Sequence, residues 1–173
     1  MAWTIDTSHS EVSFSARHMM ISKVRGRFNA FSGTIEGDEA SPVDAKIDVA
    51  IDAASLTTGD EKRDGHLKSA DFLDVATYPS ITFVSTSVEH TDATNAKLHG
   101  DLTIKGVTKP VTLAVAYQGQ SKSPWGTTNA GFSATTTFNR KDWGLEWNAP
   151  LETGGVLVGE EIAVAIELEL IQS

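Results

Sequence analysis

The chain has 173 residues, of which 40% are hydrophobic and 8% aromatic, an ordinary globular composition that excludes disordered and fibrous proteins. It contains no cysteine, which excludes disulfide bonds, thiolate catalysis and cysteine metal sites. The formal net charge of -9 disfavours nucleic acid as a partner, because phosphate backbones are held mainly by lysine and arginine.

The first third of the chain contains three segments in which apolar and polar residues alternate, as they do in a strand with one buried face. Residues 11–17 and 44–52 alternate cleanly, whereas residues 28–36 alternate imperfectly, and the break in period at Ala30 predicts a bulge. The segment HMMISKVRG, residues 18–26, is too short for a stable helix alone, and we assign no strand to it.

One short helix is predicted near residues 58–70. Thr58 followed by Glu61 matches a capping box, and GDEKRDGHLKS continues with strong helix formers. This segment contains almost no apolar residue, so the helix cannot be a core element. We expect it to lie over the surface or the rim of the fold, held there by the apolar residues around it: Leu56, Leu67, Phe72 and Leu73.

The rest of the chain again alternates with a period of two, which raises the total to about eight strands. Closing such a sheet into a barrel removes its unpaired edges. The sequence has no repeat, low-complexity tract or linker, so we predict one all-β domain over residues 1–173, a closed antiparallel barrel. The further predicted strands are residues 81–88, 97–104, 111–117, 131–139 and 161–171.

The motifs of common catalytic and cofactor sites are missing from the sequence. The five histidines show neither His-x-His nor i,i+4 spacing, so we predict no metal site. There is no Gly-x-Ser-x-Gly elbow and no glycine-rich nucleotide loop, so we predict no catalytic residue and no cofactor. A hydrolase built on His9, His18 or His66 stays an alternative.

Two groups of residues, in connecting segments, at strand ends and on the helix, are candidates for a ligand entrance. Trp125, Trp143 and Trp147 fall in connecting segments, where they either line an apolar entrance or plug a barrel end, and we favour the plug. A basic group lies at strand ends and on the helix and could form a charged rim, the alternative being solvated loops. Its members are Arg17, His18, Arg25, Lys62, Arg63, His66 and Arg140.

Four segments, in this order and spacing, resemble the YceI family of polyisoprenoid-binding or lipid-binding proteins. They are HSEVSFSARHMMISKVRGRFNAFSG, SLTTGDEKRDGHLKSADFLDVATYPSITFVS, GDLTIKGVTKPVTL and NRKDWGLEWN, and the match covers nearly the whole chain. The resemblance implies a lipocalin-like barrel that holds a long apolar molecule, such as a polyisoprenoid, a quinone-like lipid or a fatty chain. It also implies a homodimer, because family members are commonly dimers.

We therefore predict a carrier, storage or sensor protein for a long-chain lipid, without stable membrane insertion. The alternatives are a structural or stress-response module with a filled barrel, or a hydrolase acting on a lipid. Some family members carry a signal peptide; the segment MAWTIDTSHS has no basic or apolar region of that kind, so we expect a cytoplasmic protein.

Apolar residues of the predicted strands and loops are assigned to the ligand-lining wall, since a barrel directs alternate side chains inward. We assign binding of a polar or anionic head group to the basic residues, because guanidinium groups hold such oxygens by forked hydrogen bonds. The lining set is Val12, Phe14, Phe28, Ile47, Val49, Ile51, Ile81, Phe83, Leu102, Leu113, Val115, Phe132, Phe138, Trp143 and Ile166, and the head-group set is Arg17, His18, Arg25 and Arg63, with Arg140 in reserve.

Overall fold

The computed structural model describes residues 2–19, 21–38, 41–148 and 158–172. Nearly all of the regular structure in these ranges is antiparallel sheet. One helix, α1, spans Glu61–Lys68. The strands are β1 Ala2–Ile5, β2 Glu11–His18, β3 Ser22–Phe28, β4 Phe31–Asp38, β5 Ser41–Asp52, β6 Leu56–Thr57, β7 Ser80–His90, β8 Asn95–Ile104, β9 Val107–Lys122, β10 Thr128–Asn139 and β11 Val158–Gln172.

Eight strands form a closed ring, which confirms the predicted barrel. The order around the ring is β1-β4-β5-β7-β8-β9-β10-β11, and β11 returns to β1 through the pairs Thr4 with Ile171 and Ile5 with Leu170. The earlier part of β11 pairs instead with β2, from which β3 and β6 continue the wall. Because β1 and β2 share the same edge of β11, they act as two halves of one broken strand.

Apolar side chains on the inner face form two packed clusters, one toward each end of the barrel. The first cluster includes Leu56, Leu73 and Trp143, close to α1 and the loops that follow it. The second cluster includes Trp3 and Phe132, where β1 closes onto β11. The apolar residues of the alternating pattern that predicted the strands thus face this interior, and the polar residues face solvent.

Three parts of the sheet differ from the prediction. The segment assigned no strand contains most of β3, residues 22–26, and β3 pairs with β2 along its whole length. The single strand predicted over residues 28–36 is divided between β3 and β4 by Asn29 and Ala30, so the period breaks at a turn between strands and not at a bulge. The short strands β1 and β6 carry too few residues to show alternation.

The helix lies where it was predicted, but its cap is different. The Asp60 carboxylate accepts the backbone N–H of Arg63 at 3.1 Å, so Asp60 and not Thr58 is the N-cap. Gly59, with φ of 82°, makes the turn that separates the two residues. The Thr58 N–H and hydroxyl both donate to the Asp64 carboxylate. No helix in the described ranges is long and apolar enough to cross a membrane.

Candidate functional site

The barrel encloses a cavity of about 510 Å³ whose wall is almost entirely aliphatic and aromatic. This volume lies in the usual range for small-molecule sites, roughly 300–1,000 Å³. Fourteen of the fifteen side chains assigned to the lining lie on the wall; that they contact a ligand stays a prediction. They are Val12, Phe14, Phe28, Ile47, Val49, Ile51, Ile81, Phe83, Leu102, Leu113, Val115, Phe132, Phe138 and Ile166.

Further apolar residues of the same wall were not selected from the sequence, although the alternation rule could have found most of them. They occupy inward positions of strands that had already been predicted, except Val24, which lies on the unpredicted strand β3. The additional lining residues include Val24, Phe31, Leu98, Val111, Ile162 and Val164.

The three loop tryptophans have three different environments. Trp143 is 2% exposed and is not on the cavity wall; its indole N–H donates to the Leu102 carbonyl at 2.9 Å, which makes it part of the packed plug. Trp147 lies on the cavity wall. Trp125 is 86% exposed in the β9–β10 turn. That turn is at the end of the barrel opposite α1, because Thr128, which follows the turn, pairs with Gln172 at the last position of β11.

The cavity meets solvent at the end that carries α1. Of the lining residues that the structure describes, only Arg17, Lys62 and Arg63 are exposed, and all three lie at this end. The other end is closed by the buried cluster around Trp3 and Phe132. We call the open end the mouth, formed by Arg17, His18, Lys62, Arg63 and His66.

The predicted head-group residues are divided between the mouth and other positions. Arg17, His18 and Arg63 are at the mouth. The Arg63 guanidinium is already held by Thr58, through bonds to its hydroxyl at 2.8 Å and to its carbonyl at 3.0 Å. Arg25 is exposed and does not line the cavity. Its neighbour Val24 faces the cavity, and successive side chains of a strand point to opposite faces, so the Arg25 side chain lies on the outer face of β3.

Arg140 lines the cavity but is tied to the backbone of the protein. It is 2% exposed, and its three guanidinium nitrogens donate to the carbonyls of Gly159, Leu145 and Val158. The guanidinium carbon lies 5.6 Å from the centre of the Phe72 ring. Burial lowers the pKa of Arg140 below its ordinary value, and the Glu160 charge opposes this shift. This arginine joins the start of β11 to the loop after β10.

His66 is the mouth residue with the most developed surroundings. Its Nε2 lies 2.9 Å from the Asp71 carboxylate, and its ring packs edge-on against Trp147, with centres 4.5 Å apart. Phe72 contacts the ring from another side at 5.1 Å. The sequence indicated His66 as a rim residue, but the Asp71 and Trp147 partners could not be identified from spacing.

A second histidine–carboxylate group lies outside the barrel interior. The His9 Nδ1 is 2.7 Å from the Asp6 carboxylate and 3.2 Å from the Glu169 carboxylate. The Ser8 hydroxyl and His9 bond to Asp6 and lower its pKa to about 2, while the bond to Asp6 raises the pKa of His9. When His9 is protonated, its ion pairs with Asp6 and Glu169 join the loop after β1 to β11. Asp6 and Glu169 are too far apart in sequence for this group to be predicted.

Comparison with known proteins places the chain in one family. A model of the YceI-like domain matches residues 3–170. A UPF0312 protein of Pseudomonas putida is 46% identical over 138 residues, which are 80% of this chain and 72% of the relative. A UPF0312 protein of Staphylococcus aureus is 40% identical over 161 residues, 92% of this chain and 91% of the relative.

Solved structures show the same barrel. BcnA of Burkholderia cenocepacia superposes with a TM-score of 0.82 at 25% identity, over 95% of this chain and 98% of that one. A polyisoprenoid binding domain from Saccharophagus degradans has a TM-score of 0.72 at 18% identity, over 97% of each chain, and shares the fold. From the domain match over nearly its whole length, the barrel and these relatives, the chain belongs to the YceI family.

Proposed function

We propose that this protein binds a long-chain lipid, with the chain inside the barrel and the head group at the mouth. The observation that carries the proposal is an apolar cavity of about 510 Å³ whose exposed lining residues, within the described ranges, are all basic and lie at one end. The polyisoprenoid binding domain from Saccharophagus degradans supports an isoprenoid as one candidate ligand class, beside quinone-like and fatty lipids.

Burial of the chain supplies the affinity in this proposal. Each methylene moved from water to the apolar wall contributes about 0.8 kcal/mol, so a chain of more than ten methylenes contributes over roughly 8 kcal/mol before the cost of association is subtracted. The wall offers few polar groups that would need partners, and no bond of the ligand has to break. We infer a carrier, storage or sensor role, in a homodimeric cytoplasmic protein.

The mouth supplies selection for the head group. Arg17 and Lys62 are exposed cations at the opening, and His18 lies beside Arg17 on β2. An anionic or carbonyl-bearing head group would find hydrogen-bond donors here while its chain remains in the barrel. We assign no head-group contact to Arg25, which faces outward, and a mainly structural role to Arg140, whose nitrogens already bond three carbonyls.

A hydrolase is the second candidate, because His66 and Asp71 form a hydrogen-bonded pair at the mouth. An imidazole oriented by a carboxylate can serve as a general base. The hydroxyl-bearing lining residues Ser13 and Thr136 have other partners, since Ser13 donates to Ala165 and Thr136 donates to Thr112. We therefore favour binding without turnover. Release of product from a bound lipid ester, abolished by His66→Gln, would reverse this choice.

A variant that fills the cavity tests the binding proposal directly. Ala134 lines the cavity, whereas Ala114 is exposed on the outer face of the adjacent strand. Ala134→Phe should weaken binding of a fluorescent long-chain fatty acid at least tenfold, because the new ring takes up chain volume. Ala114→Phe is the matched control and should bind as the wild type does. Equal affinity of all three proteins would exclude the barrel as the binding site.

The head-group assignment has its own test, with outward-facing Arg25 as the control. Arg17→Gln should weaken an anionic single-chain lipid more than its neutral alcohol, and Arg25→Gln should change neither. Equal losses for both ligands would overturn the assignment. Native mass spectrometry of protein purified from cells, followed by organic extraction, should show a co-purified lipid and identify its class; a barrel that carries nothing and binds no chain would favour the filled structural module.

A further inference from the structure

The hairpin formed by β2 and β3 carries exposed apolar residues at its turn. Ile21 is 80% exposed and Met19 is 41% exposed, and these are two of the four large apolar side chains exposed in the described residues. Met19 has φ of 52°, and the Ile21 N–H bonds the His18 carbonyl, so a tight turn holds the two side chains at the end of the hairpin. Exposed apolar residues grouped in this way indicate an interaction surface.

The same hairpin carries a basic strip, which we define as Lys23, Arg25 and Arg27 on its outer face together with Arg17, which lies at the end of β2 where this face meets the edge of the cavity. Arg17 lies directly opposite Lys23, while Arg25 and Arg27 lie opposite serines, and all four cations are exposed. Like charges opposite one another destabilise a sheet. Among the residues that the structure describes, none of the four forms an ion pair with a carboxylate; Glu160, at the start of β11, is paired with Lys141 at 2.8 Å.

We propose that this hairpin docks the protein on an anionic phospholipid bilayer, with the mouth of the cavity at the membrane surface. The charge of the strip opposes the -9 charge of the whole chain, so its partner is anionic. A second copy presenting the same strip would be repelled. An apolar tip in front of cations matches the order of layers in a bilayer, where acyl chains lie beneath charged head groups.

The dimensions of the hairpin agree with interfacial docking. Strands rise about 3.3 Å per residue, which places Lys23 roughly 7 Å and Arg25 roughly 13 Å behind Ile21. Amphipathic elements enter the boundary between head groups and acyl chains by about 5–10 Å. Insertion of Ile21 and Met19 to this depth would bring Arg17 and Lys23 to the level of the phosphates.

Because the hairpin lies beside the mouth, docking would bring the opening of the cavity to the membrane surface. Arg17 and His18 belong both to the end of the hairpin and to the cavity lining. A lipid could then leave the bilayer through the mouth without exposing its chain to water. This transfer role rests on the proposed lipid binding, whereas the docking itself does not.

The test is sedimentation of the full chain with vesicles of phosphatidylcholine alone or of phosphatidylcholine with 30% phosphatidylglycerol. We expect binding to the anionic vesicles, weaker at high salt, and little binding to the neutral ones. A cation at an anionic surface contributes about 1 kcal/mol, so Lys23→Gln with Arg25→Gln should weaken binding about 25-fold. Ile21→Ser should also weaken it.

Trp125→Ser is the matched control, because it removes a still more exposed apolar side chain from the opposite end of the barrel. It should leave vesicle binding unchanged. Equal binding to neutral vesicles, or variants of the hairpin that bind as the wild type does, would overturn the proposal. The proposal would also be overturned if the wild type did not bind vesicles and Ile21→Ser instead dissociated a dimer or lost an acidic protein partner.

The two proposals fail in different ways. Ile21→Ser should keep full affinity for a short-chain lipid in solution, since Ile21 does not line the cavity. Ala134→Phe should lose that affinity and still sediment with anionic vesicles. Vesicle binding without lipid binding would exclude the transfer role alone, and lipid binding without vesicle binding would exclude docking alone.

Discussion

The ring of Phe14 occupies the space in which Gly26, its partner on the neighbouring strand, would otherwise carry a side chain. A Cβ at Gly26 would lie 2.5 Å from Cζ of Phe14 and 2.9 Å from Cγ2 of Thr58. The absence of a side chain lets the Phe14 ring lie against the wall and contact Phe28, with ring centres 5.4 Å apart. This glycine therefore helps to keep the middle of the barrel open.

Gly26→Ala should destabilise the protein and reduce its capacity for lipid. Overpacking of this kind costs roughly 1–3 kcal/mol, and the displaced Phe14 ring can move only toward the cavity. Gly65→Ala is the control: Gly65 lies in α1 with nothing within 4 Å of the added Cβ, and alanine should stabilise the helix by roughly 0.5–1 kcal/mol. Urea denaturation and probe binding measure the two effects; a neutral Gly26→Ala would show that the wall adjusts freely.

Arg140→Met should lower the free energy of unfolding by roughly 2–4 kcal/mol, because the Leu145 and Gly159 carbonyls lose the guanidinium donor and unpaired acceptors are costly when buried, whereas the Val158 carbonyl keeps the Asn148 amide. Arg140→Lys should recover only part of this loss, since one ammonium cannot reach all three acceptors. Exposed Arg27→Met should change stability by no more than about 0.5 kcal/mol. If Arg140→Met kept full stability and lost affinity for anionic lipids but not for neutral ones, Arg140 would instead belong to the head-group site.

Trp143→Phe should reduce stability by roughly 1–3 kcal/mol, since the Leu102 carbonyl loses its indole donor and the plug loses volume. Affinity for a long-chain probe should stay within a factor of about two, because Trp143 lies off the cavity wall. Trp125→Phe, at an exposed position, serves as the control for thermal stability. A large loss of lipid affinity in Trp143→Phe with unchanged stability would place the indole in the binding site.

The ion pair of His9 with Asp6 should make stability depend on pH. The pKa of His9 is raised, so its contribution is complete below the ordinary histidine value of 6.5 and is lost as pH rises through the raised value. The pKa of Asp6 is lowered to about 2, so its contribution is complete above 3.8 and is lost toward pH 2. Wild type should therefore melt higher than His9→Gln at pH 5, with a smaller difference at pH 8.5. A difference that does not change between these pH values would contradict the assignment.

The sequence was sufficient to predict the barrel because most inward positions carry large apolar residues. Strand β3 was missed for a specific reason: its inward positions are Val24, Gly26 and Phe28, and the glycine hides the alternation. Arg25 was assigned to the head-group site from the local excess of positive charge, which does not give the direction of its side chain, since that direction is known only once the register is known.

The mouth was predicted in part for a similar physical reason. Exposed cations on α1 and at the end of β2 follow from charge and location in the chain. The partners of His66 and the separation of Trp143 from Trp147 depend instead on how the loop after β10 folds back over the barrel, which local patterns do not specify. The Asp6, His9 and Glu169 group depends likewise on the β1–β11 register.

The pairing of β1 with β11 has a consequence for biosynthesis. The first strand of the barrel can pair with β4 early, but it meets its second partner only when Leu170 and Ile171 have emerged from the ribosome, so the ring cannot close before β11 is complete. Until then β1 and β10 are open sheet edges beside apolar surface, which invite aggregation. Nascent chains of this protein should therefore depend on chaperones until β11 has emerged.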